Sequence, residues 1–208
     1  MNSKFNMNKN WKKAEEILKK GGVAVIPTDT IYGIVGSAFS KKTVERIYDL
    51  KGRDKNKPFI VLISSFNDLK KFGIKLTKEQ AKILGKFWPS KVSVILPCSS
   101  KKFEYLHRST KSIAFRMIGP KNKNLFNLIK KVGPLVAPSA NPQGLQPAEN
   151  IQEAKQYFGP ARPHDSSGAG GNKVDYYIAG GTKKLKPSTL VEYKNGKITV
   201  LRQGAVKI

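Results

Sequence analysis

Six short stretches of the chain concentrate hydroxyl, amide and cationic side chains: Pro27-Thr28-Asp29-Thr30-Ile31-Tyr32-Gly33, Lys51-Gly52-Arg53, Ser112 to Arg116, Ser139-Ala140-Asn141, Pro187-Ser188-Thr189 and Arg202-Gln203-Gly204. Such groups suit an anion. Nucleotidyl transfer from ATP asks for little else, because positioning and charge neutralisation at the phosphates carry most of the acceleration. Other chemistries lack their residues: there is no Gly-x-x-x-x-Gly-Lys-Ser/Thr loop, no Gly-x-Gly-x-x-Gly and no Gly-x-Ser-x-Gly elbow. The one His-Asp-Ser run, His164-Asp165-Ser166, lies in a Gly/Pro-rich stretch that would hold catalytic geometry poorly. Cys98 is the single cysteine, so no intrachain disulfide can form, and with His107 and His164 it makes an unpromising metal set.

Taken singly, these stretches have plainer explanations. Lys51-x-Arg53 could be a solvated helix end facing the negative pole of the dipole, Thr28-Asp29-Thr30 a turn, and Ser139-Ala140-Asn141 a helix cap. Arg116 is different, because it sits among Ile113, Ala114, Phe115 and Met117 on an apparent core strand, where an unpaired guanidinium is costly. It should meet a carboxylate or a phosphate, from an internal salt bridge or from a ligand.

Alternating helical and strand patterns must position these groups. Helical spacing over Trp11 to Lys20 ends at Gly21-Gly22, and the β-branched run Val23 to Ile26 ends at Pro27. Ser40 caps a helix that runs into Lys51, and Pro58 precedes a strand over Phe59 to Ile63. Thr77-Lys78-Glu79-Gln80 is a capping box opening a helix toward Trp88-Pro89. Strands are expected at Val92 to Leu96, Ile113 to Ile118, Leu135 to Ala137, Val174 to Ile178, Thr189 to Tyr193 and Ile198 to Leu201, with helices at Leu125 to Val132 and Ile151 to Phe158. Asn195-Gly196 is the favoured dipeptide of a tight hairpin. The pattern predicts one α/β domain over residues 11–208 behind a tail at 1–10, its mixed sheet flanked by helices, with a flexible insertion loop expected at 159–172.

The opening residues carry no apolar core of a secretion signal, and the run Phe59 to Ile63 is far short of the roughly 20 residues of a spanning helix, so a cytoplasmic protein with no membrane partner is expected. The formal net charge of +25, from 39 Lys+Arg against 14 Asp+Glu, favours anionic ligands and makes tRNA or other RNA a possible partner.

In order and spacing, Gly22 to Gly33, Lys51-Gly52-Arg53 with Pro58, Trp88-Pro89, Ala114-Phe115-Arg116, Pro138 to Asn141, and Ser188-Thr189 followed by Leu201 to Gly204 resemble the YrdC/TsaC family of threonylcarbamoyl-AMP synthases. The resemblance implies a YrdC-like twisted sheet, related to the DHBP synthase fold, around a deep basic cavity that takes ATP with Mg2+, L-threonine and bicarbonate. It further implies ATP contacts at Arg53, Lys57, Ser112, Ser139, Asn141 and Arg202, threonine contacts at Thr30, Arg116, Ala137 and Ser188, and charge neutralisation at the reacting phosphate by Lys51 and Arg53 as catalytic residues. No protein-held metal site is implied, and the product would pass to a threonylcarbamoyl-transferase complex that modifies tRNA. Departures from the family pattern fall at Ser90-Lys91 and Ser93, Pro142-Gln143-Gly144, Pro147-Ala148-Glu149 and Asp54, and they bear on the rim of such a cleft. Longer family forms carry a second domain. Two other activities fit the same residues: a non-catalytic RNA-binding module, and a relative that transfers a carbamoyl group from carbamoyl phosphate.

Overall fold

The computed structural model describes residues 2–161, 173–194 and 196–208, residues 2–8 by backbone alone. Most of the 159–172 stretch, including His164-Asp165-Ser166, and Asn195 of the Asn195-Gly196 turn lie outside the described residues. Helix α1 (Asn2–Lys19) starts well ahead of Trp11, so residues 2–10, expected as a tail, are helical. No Gly or Pro stands between Asn2 and Trp11 to stop the helix propagating toward the N-terminus.

Strands β1 (Ala24–Pro27) and β2 (Tyr32–Ser37) form an antiparallel hairpin. Gly33 and Gly36 dilute the pattern of β2, which periodicity did not single out. A Cβ on Gly36 would lie 2.3 Å from Thr43 Cγ2, so the glycine lets helix α2 (Lys41–Lys51) approach the sheet. Ser40 caps α2 by accepting from the Thr43 amide at 3.2 Å, and Gly52 closes it in the left-handed region at φ 54°.

The chain continues through β3 (Ile60–Ile63), α3 (Phe66–Lys70), α4 (Lys78–Gly85), β4 (Val92–Pro97), α5 (Glu104–His107), β5 (Ser112–Met117), α6 (Lys123–Val132), β6 (Leu135–Val136), α7 (Ile151–Phe158), β7 (Tyr176–Tyr177), β8 (Thr189–Lys194) and β9 (Lys197–Arg202). Helices α3 and α5 are too short for a helical period to mark them, and α4 stops at Gly85 rather than reaching Trp88. No helix among the described residues is long and apolar enough to cross a membrane.

One mixed sheet runs in the order β7-β1-β2-β6-β3-β5-β4-β8-β9. Alternation sends Ile113, Phe115 and Met117 of β5 into the larger core with Val61, Val94 and Val191, while Ser112, Ala114 and Arg116 share the opposite face. Helices α1 and α6 cover that second face over β1, β2, β6 and β3, burying Ala24, Val35, Leu62 and Leu135. They stop short of β5, β4 and β8. Ala114, Ile95, Leu190 and Glu192 there remain only half-buried, and a cleft opens over this uncovered part of the sheet.

The strap from β7 to β8, which delivers Ser188 to that cleft, is fastened at its start by Asp175. Its carboxylate takes Arg46 Nη1 at 2.7 Å and Nη2 at 2.8 Å and the Val23 amide at 2.7 Å, with no exposed side-chain surface. Asp175→Ala leaves Arg46 and a backbone amide poorly satisfied in the interior. We expect a loss of roughly 3–5 kcal/mol in denaturant-induced unfolding; a change below about 1 kcal/mol would remove Asp175 from this anchoring role.

Candidate functional site

Three segments converge on the uncovered face. The first is the β1–β2 loop. Thr28 Oγ1 donates to the Ile31 carbonyl at 2.6 Å, accepts from the Thr30 amide at 3.2 Å, and lies 3.2 Å from Thr30 Oγ1. Since the Thr28 proton is committed to Ile31, the Thr30 hydroxyl is the donor in their pair, which leaves its oxygen free to accept an N–H in the recess it lines.

The second segment follows β6. The Ile34 amide donates to Pro138 O at 3.0 Å and the Ala140 amide to Tyr32 O at 2.9 Å, so residues 138–140 run against β2 and Ser139 faces the cleft. Lys51, 2% exposed at the end of α2, reaches across to donate to Ser139 O at 2.5 Å and to the Asn141 carbonyl. Asn141 Nδ2 in turn donates to Pro142 O at 2.9 Å and Leu145 O at 2.8 Å. The Gln143 amide donates back to Lys51 O at 2.8 Å, and Gln143 Oε1 accepts from the Asp54 amide at 2.9 Å. Lys51 and Asn141 therefore stitch the Arg53 loop to the Ser139 loop.

The third segment is the strap before β8. Tyr32 Oη accepts from the Gly180 amide at 2.7 Å and donates to Gly181 O at 2.8 Å, pinning the strap beside the cleft. At its far end Ser188 Oγ pairs with Ser93 Oγ at 2.8 Å, both buried, and Ser188 O accepts from Arg202 Nη2 at 2.9 Å. Gly204 allows the segment after Arg202 to lie against the strap, since a Cβ there would meet Pro187 O at 2.3 Å.

Arg116 sits in the floor, 4% exposed. Its Nη2 is 3.1 Å from Asp29 Oδ1, yet Arg116 Nε and Asp29 Oδ1 complete no hydrogen bond. Burial pushes the Arg116 guanidinium below its usual range, Asp29 opposes that, and Arg202 adds to it. Burial also lowers Arg202, as does repulsion from Arg53. Arg116, Arg202 and Arg53 thus form one positive field along the cleft, whose inner recess is small at about 90 Å³, below the roughly 300–1,000 Å³ of drug-sized ligand sites. A wider groove between α1 and α6, lined by Trp11, Glu15, Leu128 and Lys131, has no such convergence, because Glu15 already pairs with Lys19 and Lys131.

Of the residues singled out in the sequence, Thr30, Arg116, Ala137, Ser139, Ser188 and Arg202 line one recess. Arg53 stands outside that recess with Nε donating to Lys57 O at 3.1 Å, and Lys57 is an exposed side chain 3.8 Å from Asp54. Ser112 shares the Arg116 face of β5 but lies four residues away, about 13 Å along the strand, with its hydroxyl on Thr110 Oγ1 at 3.3 Å. Lys51 lies behind the recess, its amine donating to the carbonyls of Ser139 and Asn141, because the α2 C-terminus approaches the Ser139 loop from its back. Asn141 likewise turns its amide to backbone carbonyls and away from the recess. Thr28 and Tyr32, expected only as part of their loop, also line the recess, and Ser93, noted in the sequence as a departure from the family pattern, is buried against Ser188.

The Sua5/YciO/YrdC family model, described as telomere recombination, matches residues 16–204. The chain is 26% identical to the threonylcarbamoyl-AMP synthase of Pyrococcus abyssi over 94% of its own length and 54% of that relative. It is 29% identical to a putative threonylcarbamoyl-AMP synthase of Methanocaldococcus jannaschii, over 95% of this chain and 88% of the relative. The crystal structure of P. abyssi Sua5 complexed with L-threonine superposes with a TM-score of 0.78 at 26% identity, covering 93% of this chain and 54% of that one. The chain therefore spans about half the length of the P. abyssi relative.

Desolvation, and after it the nearby Arg53, push the Lys51 amine down from 10.5 to about 7. With the folded value below the unfolded one, the folded protein binds fewer protons between those limits, so stability rises with pH there. The cost of holding Lys51 charged is fully present below pH 7 and is relieved toward 10.5. In denaturant titrations at several pH values, wild type should gain stability relative to Lys51→Met as pH rises through this window; a constant difference would contradict the assignment.

Proposed function

The chain belongs to the Sua5/YciO/YrdC family, and from that membership we propose that it is a threonylcarbamoyl-AMP synthase, a nucleotidyltransferase that joins L-threonine, bicarbonate and ATP. The observation that carries this reading is the Arg116 guanidinium, buried in a hydroxyl-lined recess with its Nε unpartnered. A planar fork offering a free edge fits a carboxylate bidentately. An amino acid gripped there by its carboxylate would bring its amine toward the lone pairs of Thr30, with Ser188 and Ala137 beside it.

The amine attacks bicarbonate and loses water to leave a carbamate. One carbamate oxygen then attacks the α-phosphorus of ATP, the bond to the β-phosphate oxygen breaks, and pyrophosphate leaves. This chain supplies orientation and charge to that step, with Arg202 between the amino-acid recess and Arg53, and Ser139 on the opposing loop. Ser112 and Lys57 lie farther out, where a nucleotide extending from the recess could meet them. Lys51 and Asn141 act by holding the Ser139 and Arg53 loops in register. Among the described residues no three His, Cys, Asp or Glu side chains form a metal cage. A Mg2+ ion carried on the triphosphate would neutralise phosphate charge.

Residues 11–208, extended by the start of α1, act in this proposal as one YrdC-like domain. The activated product is labile in principle and would be taken up by a tRNA-modifying transferase, an encounter that the +25 charge would favour in the presence of RNA.

Arg116→Ala and Arg53→Ala should each lower threonine- and bicarbonate-dependent pyrophosphate release by about 100-fold or more, as expected when a charged partner of a bound anion is lost. Arg116→Lys, which keeps the charge but loses the fork, should chiefly raise the KM for threonine, by about tenfold. Wild-type rates in Arg116→Ala, with the fold intact by circular dichroism, would refute the proposal.

A further inference from the structure

Arg53 is held by a stack that begins on the other side of α2. Arg108, at the C-terminal cap of α5, lies with its guanidinium carbon 4.1 Å from the centre of the Tyr48 ring. Tyr48 stacks on Phe59 with ring centres 3.9 Å apart and planes inclined by 19°, and Arg53 covers Phe59 at 5.5 Å. The same carbonyl, Lys57 O, accepts from Tyr48 Oη at 3.0 Å and from Arg53 Nε at 3.1 Å. Arg108 is tied in turn to Glu45 at 2.9 Å. Its backbone, and those of Ser109 and Lys111, adopt positive φ of 48°, 65° and 55°, conformations that persist only where surrounding contacts over-determine them.

We propose that Tyr48 and Arg108 are positioning residues that orient the Arg53 guanidinium through the stack and through the shared Lys57 carbonyl. This rests on the reading of Arg53 as a triphosphate contact. The physical content is geometric: with one face on Phe59 and Nε on Lys57 O, Arg53 has its two terminal nitrogens left to meet an anion, and free rotation of a long side chain is removed before the ligand arrives. Tyr48 is the hinge of the arrangement, because α2 presents Glu45 and Tyr48 on one face at helical spacing, and Arg108 braces both.

The test uses full-length protein labelled with 15N-arginine, comparing wild type with Tyr48→Phe, which keeps the ring and loses only the hydroxyl, and with Arg108→Met and Arg108→Lys. The Arg53 Nε–H resonance, assigned by its loss in Arg53→Lys, should exchange with water about fivefold faster in Tyr48→Phe and Arg108→Met, the effect of losing one modest interaction, and less so in Arg108→Lys. Calorimetric affinity for ATP should fall in parallel while affinity for L-threonine and the melting temperature hold. Unchanged Arg53 exchange in both Tyr48→Phe and Arg108→Met would overturn the proposal. So would an equal loss of ATP and threonine binding with a lowered melting temperature, the mark of a merely structural role. Should wild type bind no ATP at all, the phosphate reading of Arg53 falls, and the exchange data still decide whether the stack orients it.

Discussion

A guanidinium buried on the floor of a sheet, with one carboxylate near it and part of its hydrogen-bonding edge unmet, sets the terms for this molecule. Removing such a group from water is costly, and a single ion pair to Asp29 repays that cost incompletely. The fold can hold Arg116 there because β5 is central, paired with β3 and β4, so the backbone under the side chain has no freedom to relax. The alternation of β5 leaves no choice of face: Phe115 and Met117 must enter the large core, so Arg116 must enter the cleft.

The rest of the cleft follows from what α1 and α6 leave uncovered. Those helices seal the second face of the sheet over β1, β2, β6 and β3, and the remaining strands lie beneath loops. Loops alone would locate hydroxyls poorly. Here they are cross-tied, by Tyr32 Oη to backbone groups of the strap, by the Ser93 hydroxyl to that of Ser188, and by Lys51 to the carbonyls at 139 and 141. The buried lysine thus ties the end of α2 to the Ser139 loop, while Arg53 and Arg202 contribute to the positive field. A cleft of this kind is organised before any ligand enters it, which limits the ordering cost of binding.

Much of this was legible in the residues. Ser40, Gly21-Gly22, the Thr77 box and the β-branched runs each marked an element boundary through local chemistry that tertiary structure did not need to override. Arg116 was legible as a charge among apolar neighbours. Strand β2 was obscured by Gly33 and Gly36, whose role is to allow close approach of Thr28 and Thr43 and not to favour an extended chain. The direction of Lys51 was not legible, because its two-residue spacing to Arg53 suggests two cations acting together, and only the packing of α2 behind the Ser139 loop sends one inward and one outward. Asn141 shows the same limit: an amide reads equally well as a ligand contact or as a clamp on carbonyls.

Calorimetric titration of the wild-type protein with L-threonine and with L-threoninol, which differs in lacking the carboxylate, isolates the role of the buried guanidinium most directly. The account predicts that threonine binds and threoninol does not, at equal ATP. Equal binding of the two would mean that Arg116 is satisfied within the protein and that the cleft recognises its ligand by other groups.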